Sequence, residues 1–518
     1  MALAKILWVD DEIESLQSQK LFLESKGYVV QTLTNGFDAI DYVKENMVDV
    51  VLMDETMPGI TGLETLAKIK EISQQIPIVL ITKNETENLM NDAIGSQISD
   101  YLIKPVNPNQ VLLSLKKILD NKRLVAEKTT TAYQQQFRNL FMALNSNPDF
   151  TEWMDIYKKL VYWELEMEKS DSPEMQEVLQ TQKNEANTEF FKFISRNYPS
   201  WVKPKSTEGP VMSHTLMQFK VLPHLEKGTP LFFVLIDNLR FDQWKAIQPI
   251  FAESFRILEE ESFYSILPTA TQYCRNAIFA GLLPVDIEKN FPVQWKNDDE
   301  QGGKNLHEEE FFRAQLKRLG KGDLKISYTK VLNNQAGLDL QNNIHNLLNN
   351  DLNVIVYNFV DMLSHARTEM EVLKELASDE MSYRSITRSW FEHSPLHQAL
   401  KKIADKNIKI ILATDHGSVK VKTPYKVVGD KQTTANLRYK HGRNLNYEPR
   451  EVLAFRDPRE AGLPVPTVNS SFIFAKEDGF LCYPNNYNYY VNYYRNTFQH
   501  GGVSLEEMIV PVIKMVSK

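Results

Sequence analysis

The sequence predicts an α/β protein with two open-sheet domains separated by a helical segment. Three observations carry this expectation. Residues 1–120 alternate five apolar strand candidates with amphipathic helical stretches, and residues 208–518 resume that alternation with longer insertions. Residues 121–207, between them, show helical spacing only.

The first five strand candidates are KILWVD (5–10), YVVQTL (28–33), VDVVLMD (48–54), IPIVLIT (76–82) and DYLIKP (100–105). Helical stretches such as LQSQKLFLESKG and GLETLAKIKEI fall between them, which predicts a doubly wound five-stranded parallel sheet with function at the carboxyl ends of its strands. In 121–207, TAYQQQFRNLFMAL, TEWMDIYKKLVYWELEME and EANTEFFKFISRNY read as a helical bundle whose aromatic stripe is core. Pro199, Pro204, Gly209 and Pro210 are expected to end it. The C-terminal strands are LFFVLID (231–237), NVIVYNFVD (353–361), KIILATD (409–415) and EMIVPVIKMV (507–516). The polar stretch 294–310 reads as a surface insertion with a solvated His307. The resulting domains are 1–120, 121–207 and 208–518, in keeping with 518 residues at about 150 per domain.

Composition narrows the function. No run of 18 apolar residues exists, so no membrane span is expected. The N-terminus, MALAKILWVDDEIES, turns acidic after nine residues and does not read as a signal peptide. Two cysteines, Cys274 and Cys482, cannot form a disulfide framework, and a reducing cytoplasm is the expected location. The net charge of −8 resides in 1–120, with 10 Lys/Arg against 18 Asp/Glu; the remainder carries 49 of each. Neither part has the basic excess of a duplex-DNA reader.

Asp10 and Asp11 close the first strand, Asp54 the third, Thr82 the fourth and Lys104 the fifth. A parallel sheet brings all of them to one edge. Clustered carboxylates need a divalent cation, and an all-oxygen ligand set favours Mg²⁺. A carboxylate beside Mg²⁺ is a nucleophile for a phosphoryl group, with Lys104 neutralising the phosphoryl oxygens and the Thr82 hydroxyl donating to one. VDDE, MDETMPGITG and YLIKP resemble the three signature segments of response-regulator receiver domains. The resemblance implies that a sensor histidine kinase phosphorylates Asp54, that Tyr101 is the switch aromatic, and that phosphorylation promotes a homodimer. Lys83 departs from the small residue common after the threonine.

In the C-terminal domain, Asp237, Asp361 and Asp415 each close an apolar strand candidate. His365 follows Asp361 by four residues, His416 follows Asp415, and His500 lies in FQHGGVSLEE, where two glycines permit close backbone approach to a site. Three Asp and three His suit two Zn²⁺-like ions with mixed N/O ligands. Two such ions stabilise in-line phosphoryl displacement, and Thr271 in LPTATQYCRN is the candidate nucleophile.

The order Asp, Thr, Asp-x-x-x-His, Asp-His, His resembles the alkaline phosphatase superfamily, and HGGVSLEEMIVP its PglZ-type branch. The resemblance implies one zinc on Asp361, His365 and His500, a second on Asp237, Asp415 and His416, and Thr271 bridging them. Receiver, helical linker and PglZ-type domain in one chain resemble the PorX-like response regulators associated with type IX secretion. That likeness implies phosphodiesterase activity on linear or cyclic oligonucleotides. The resemblance implies that a threonine nucleophile in place of serine favours diesters, with monoesters and sulfate esters left open.

Residues 420–443 carry Lys420, Lys422, Lys426, Lys431, Arg438, Lys440 and Arg443 against Asp430, with Tyr425, Tyr439 and His441 interleaved. This reads either as a cationic flap for a nucleotide, with Arg438 and His441 on substrate, or as a solvated loop. Arg275 and Asn276 are candidate phosphate contacts or helix-surface residues. The Tyr/Asn run 483–496 is expected to pack. The alternative function is a signalling scaffold with a vestigial metal site, acting through a sigma factor or a secretion-system component.

Overall fold

The computed structural model describes residues 4–73, 76–83, 98–170, 173–203, 208–298, 300–363, 379–430 and 434–518. His365 and Lys431 lie outside them. The chain divides into two compact units, Met1–Gln134 and Gln135–Lys518.

In the first unit, β1 (Lys5–Val9), β2 (Val29–Leu33), β3 (Val50–Asp54), β4 (Ile78–Thr82) and β5 (Asp100–Ile103) form an all-parallel sheet of order β2-β1-β3-β4-β5. Its central strands are apolar on both faces because both faces are covered. Ile6, Trp8, Leu52, Val79 and Ile81 pack on one side, and Leu7, Val9, Val51, Met53 and Leu80 on the other. Helices α1 (Gln17–Ser25), α2 (Gly36–Glu45) and α3 (Gly62–Ile72) supply covering layers. A reciprocal cap starts α3: the Thr61 hydroxyl accepts from the Glu64 N–H, and the Glu64 carboxylate accepts from the Thr61 N–H. Gly62 permits this start to lie on the Asp54 carbonyl, which a Cβ would meet at 2.1 Å. Helix α4 (Pro108–Asn145) begins in this unit and ends in the next.

The second unit opens with α5 (Phe150–Ser170) and α6 (Pro173–Trp201). Pro199 lies inside α6, within its last turn. The aromatic stripe is core: Trp153 meets Phe190 at 5.3 Å between ring centroids, and Trp201 meets Tyr264 at 5.4 Å. Polar contacts fasten the same helices to the sheet domain. Asn187 accepts from the Leu505 N–H at 2.8 Å, and Lys183 bridges Glu164 at 2.6 Å and Glu506 at 3.7 Å.

The main sheet contains β6 (Leu231–Ile236), which helix α7 (Phe241–Ser254) follows, β7 (Phe255–Tyr264), β8 (Ile326–Val331), β9 (Leu352–Tyr357) and β10 (Lys409–Ala413). It is completed by the last strand, Ile509–Ser517, in the order β7, last strand, β10, β6, β9, β8. β10, β6, β9 and β8 are parallel, whereas the last strand is antiparallel to both neighbours. It therefore starts at the edge where the parallel strands end. This brings the 500–507 segment to that edge.

Four details differ from the sequence expectation. β9 stops at Tyr357, so Asp361 lies in a helical turn over 359–363 and does not close the strand. The 420–443 segment is not a flap throughout: Tyr439–Gly442 is a buried edge strand of a three-stranded antiparallel sheet with 452–455 and 471–475. The 294–310 stretch lies largely at the surface, with His307 part-exposed, but two of its residues turn inward: Trp295 is buried and Glu308 is 1 % exposed. The Tyr/Asn run forms a helix, Tyr487–Tyr494, that packs on one face only: Val491, Tyr487 and Tyr494 join a core cluster, while Tyr489 is 65 % exposed. Among the described residues, no helix is long and apolar enough to cross a membrane.

Candidate functional sites

At the carboxyl edge of the first unit's sheet, carboxylate oxygens of Asp10, Asp11 and Asp54 lie within 4.8 Å of one another. Lys104 Nζ stands 2.9 Å from Asp10 and 3.0 Å from Asp54. Burial pushes the Asp54 carboxyl above its usual range; Asp10 and Asp11 add to this, and Lys104 opposes it. Three carboxylates answered by one lysine are a donor set suited to a divalent cation. The Thr82 hydroxyl donates to Glu55, the neighbour of Asp54. Tyr101 is exposed on β5, and Lys83 lies 3.7 Å from Glu12.

In the second unit, Asp237 follows β6, and Asp415–His416 follow β10, two adjacent parallel strands. Their ligand atoms lie within 4.8 Å, and all three side chains are fully buried. Thr271, the first residue of α8 (Thr271–Ala280), holds its hydroxyl 3.3 Å from Asp237 Oδ1 and 3.1 Å from His416 Nε2. Asp361 and His500 form the neighbouring half, with His500 Nε2 at 3.6 Å from Asp361 Oδ1. The two halves adjoin, since the His416 and His500 rings stack at 4.3 Å.

Both imidazoles are oriented through Nδ1. That atom meets a backbone carbonyl in each, Gly417 O at 3.0 Å for His416 and Thr269 O at 3.2 Å for His500. A carbonyl only accepts, so Nδ1 carries the proton and Nε2 is the lone-pair nitrogen, the arrangement a metal-ligating histidine needs. Gly417 lets this turn lie against the last strand's approach, because a Cβ there would sit 2.0 Å from Glu506 O. Asp415 Oδ2 is sealed from solvent with no hydrogen-bond partner, and burial, then Asp237, drives its carboxyl far above the usual range. Buried carboxylates under such pressure, with an orphaned oxygen and two presented Nε2 atoms, fit cations.

Several supporting residues have no motif in the sequence. Asn238, with φ of 61°, donates its N–H to Asp415 at 3.2 Å and its amide to Asp361 at 3.3 Å, joining the two halves. Asparagine tolerates that left-handed conformation, and its place right after Asp237 was the available signal. Glu308 gathers Arg275, Tyr328 at 2.7 Å and Lys330 at 2.8 Å. The 294–310 stretch also grips α8: Lys296 O accepts from Gln272, Lys304 O from Asn276, and Asn305 donates to Thr271 O.

The four candidate substrate contacts are corrected by this packing. Arg275 is 2 % exposed and spends its guanidinium on Asp237 at 2.6 Å, Asn358 at 2.9 Å and Glu308. Asn276 is buried against Lys304 O. Arg438 is wholly buried, paired with Glu507 at 2.6 Å and donating to Gly479 O. Gly502 makes its close approach to that guanidinium and to Ala475 O. His441 is buried 3.2 Å from Asp298, which also accepts from Tyr273 and Tyr439. Lys440 is buried over the Tyr483 ring, and burial lowers its amine to about 7. No amphipathic or basic pattern distinguishes such inward cations from surface ones.

Comparison with known proteins follows the same division. Residues 6–116 match the response regulator receiver domain, 123–202 the PorX response regulator linker domain, and 216–515 the BREX system PglZ alkaline phosphatase-like domain. Among curated relatives, the phosphoglycerate transport system transcriptional regulatory protein PgtA of Salmonella typhimurium is 30% identical over 154 residues, 30% of this chain and 35% of that protein. The transcriptional regulatory protein ZraR of Klebsiella oxytoca is 34% identical over 132 residues, 26% of this chain and 30% of that protein. The chain thus spans about a third of the length of these relatives. Among solved structures, chemotaxis protein CheY4 of Vibrio cholerae is 29% identical and covers 23% of this chain and 99% of its own, with a TM-score of 0.22. The receiver implies a partner histidine kinase. The PglZ match spans more than half of the polypeptide, and the chain belongs to the PglZ alkaline phosphatase-like family, joined here to a response-regulator receiver and a PorX linker domain.

Proposed function

We propose that this response regulator has an enzymatic output, a zinc-dependent phosphodiesterase acting on linear or cyclic oligonucleotides and controlled by phosphorylation of Asp54. The observation that carries the reading is the Thr271 hydroxyl, held at 3.3 Å from Asp237 Oδ1 and 3.1 Å from His416 Nε2 beside a carboxylate with an orphaned oxygen.

Asp237, Asp415 and His416 would hold one ion, and Asp361 and His500, with His365, the other. When bound, such ions acidify a neighbouring hydroxyl and neutralise charge on phosphoryl and leaving oxygens. The chain's own groups then do the following. Asp237 and His416 fix the Thr271 oxygen, and the amino end of α8 directs its backbone N–H groups toward the incoming anion. Thr271 Oγ1 attacks phosphorus, forming a phosphothreonine ester as the bond to the leaving alkoxide breaks. Water then releases the phosphate monoester and restores the hydroxyl. Arg275 holds Asp237 in place through its other carboxylate oxygen.

In the receiver, Asp54 accepts the phosphoryl group, with Mg²⁺ held by the carboxylate cluster and Lys104 on the phosphoryl oxygens. Dimerisation and a role in type IX secretion belong to the same proposal. The test is hydrolysis of a nucleotide panel by the zinc-loaded protein, with and without phosphorylation of Asp54. Turnover of oligonucleotides that changes with phosphorylation supports the reading. Absence of hydrolysis of every diester, with two metals bound, overturns it.

A further inference from the structure

In the main sheet β6 lies between β10 and β9, so the turn that leaves β6 is flanked by the turns that leave both neighbours. These three turns carry ligands of both halves of the proposed metal site. Asp237 follows β6, Asp415 and His416 follow β10, and Asp361 lies beyond β9. Asn238 sits in the middle turn, the one place from which a single residue reaches both sides. It does so with two separate donors.

Toward β10 the donor is the backbone. The Asn238 N–H points at Asp415 Oδ1 at 3.2 Å, and the His416 N–H reaches the same oxygen at 3.1 Å. Asp415 Oδ2 has no hydrogen-bond partner. One carboxylate oxygen is therefore satisfied by the protein, and the other is left for a cation. The two turns are held in this register by Thr414, whose hydroxyl accepts from the Leu239 N–H at 3.0 Å and donates to His416 O at 3.0 Å.

Toward β9 the donor is the side chain. Asn238 Nδ2 donates to Asp361 Oδ1 at 3.3 Å, and Asn238 Oδ1 is buried with no hydrogen-bond partner. Reversing the amide would set two acceptors face to face, so Asp361 fixes its orientation. The residue is wholly buried with φ of 61°, a conformation that asparagine and glycine adopt and other residues resist. An amide is also neutral. It orients a carboxylate without the positive charge by which a lysine or arginine would compete with a metal ion.

We propose that Asn238 is a positioning residue shared by the two ions, its amide holding Asp361 for one while its N–H selects the Asp415 oxygen offered to the other. The proposal rests on the two-zinc phosphodiesterase reading and adds the residue that sets the two ligand groups against each other. Substitution separates the two donors. Glycine keeps the left-handed backbone and the N–H on Asp415, and removes only the amide on Asp361.

The test is Zn²⁺ binding to the full-length chain, stripped with EDTA, desalted and titrated in competition with a chromophoric chelator. Excess Mg²⁺ is present to occupy the receiver cluster. His500→Ala identifies the ion held by Asp361 and His500. Asn238→Gly is expected to weaken that same ion about tenfold to a hundredfold and to leave the other unchanged. Asn238→Ala removes the same amide from a strained backbone and should show the same selectivity, with the retained ion reporting any damage to the fold. Titration with Co²⁺ supplies a spectroscopic signature: the visible absorption of the ion retained in His500→Ala is unchanged in Asn238→Gly. A parent protein that takes two ions, with a glycine variant that weakens neither, both alike or only the other one, overturns this proposal alone. A parent that takes fewer than two ions overturns the two-zinc reading, and this proposal with it.

Discussion

Arg275 and Asp237 form a buried ion pair of 2.6 Å on the side of the carboxylate opposite the Thr271 hydroxyl. The same guanidinium reaches Glu308, which Lys330 also pairs at 2.8 Å. Arg275→Met strands Asp237, while Glu308 keeps Lys330, and is expected to cost about 3–5 kcal/mol of stability. Arg275→Lys, a point charge without the planar fork, recovers part of this. Chemical denaturation of the two variants checks the order, and equal stability of parent and methionine variant would refute it.

Thr271 is the proposed nucleophile, and its serine and alanine variants separate hydroxyl from methyl. Thr271→Ser is expected to retain measurable hydrolysis of bis(p-nitrophenyl) phosphate. Thr271→Ala is expected to lose at least about a thousandfold in kcat. An alanine variant as fast as the parent removes Thr271 from the chemistry.

Glu507 accepts from Arg438, from the Ser504 hydroxyl at 2.7 Å and from the Gly502 N–H at 2.8 Å, pinning the loop that carries His500. Arg438→Met leaves this carboxylate buried without its cation, at an expected cost of about 3–5 kcal/mol. The melting temperature should fall together with metal content. A variant that melts like the parent but binds oligonucleotide more weakly would reinstate Arg438 as a substrate contact.

Acidification has a specific expected effect through His214. Burial lowers its imidazole from 6.5 to about 4, and its Nδ1 is sealed without a partner. Between those values the unfolded chain binds the proton and the folded chain does not, so stability rises with pH there. The protein should therefore lose stability as pH falls from about 6.5 toward 4, and His214→Gln should lose less. Urea midpoints at pH 7 and pH 5 measure the difference; parallel losses in both proteins would exclude His214 as the cause.

Magnesium should stabilise the receiver by occupying the Asp10–Asp11–Asp54 cluster. At a hundred times the dissociation constant the gain is about 2.7 kcal/mol. Asp10→Asn should abolish that gain because it removes one of the three clustered carboxylates. A thermal shift on Mg²⁺ addition that survives the substitution would point to another site.

Much of both units was legible because its signals are local. Runs such as IPIVLIT and LFFVLID are apolar throughout because both sheet faces are covered, and Asp54, Asp237 and Asp415 come at or just beyond the ends of such runs. Asp361 shows the limit: the apolar run continues past Tyr357, and nothing local marks the change from strand to helical turn. The tyrosine run packs on one face, through Val491, Tyr487 and Tyr494, and leaves Tyr489 exposed on the other. Apolar area alone does not say which side of a helix the rest of the fold covers.

The sequence by itself determined the order of the domains, the receiver strands and the set of polar residues available at each sheet edge. These follow from short-range periodicity and from chain order in a parallel sheet. Only the tertiary structure decided the antiparallel last strand, the inward course of Arg275 and Arg438, and the reach of Glu308 into the core. Each of these charges depends on a partner far along the chain: Arg438 on Glu507, Arg275 on Asp237, Glu308 on Arg275. A buried charge is stable only where its counter-charge is delivered, and that delivery belongs to the fold as a whole.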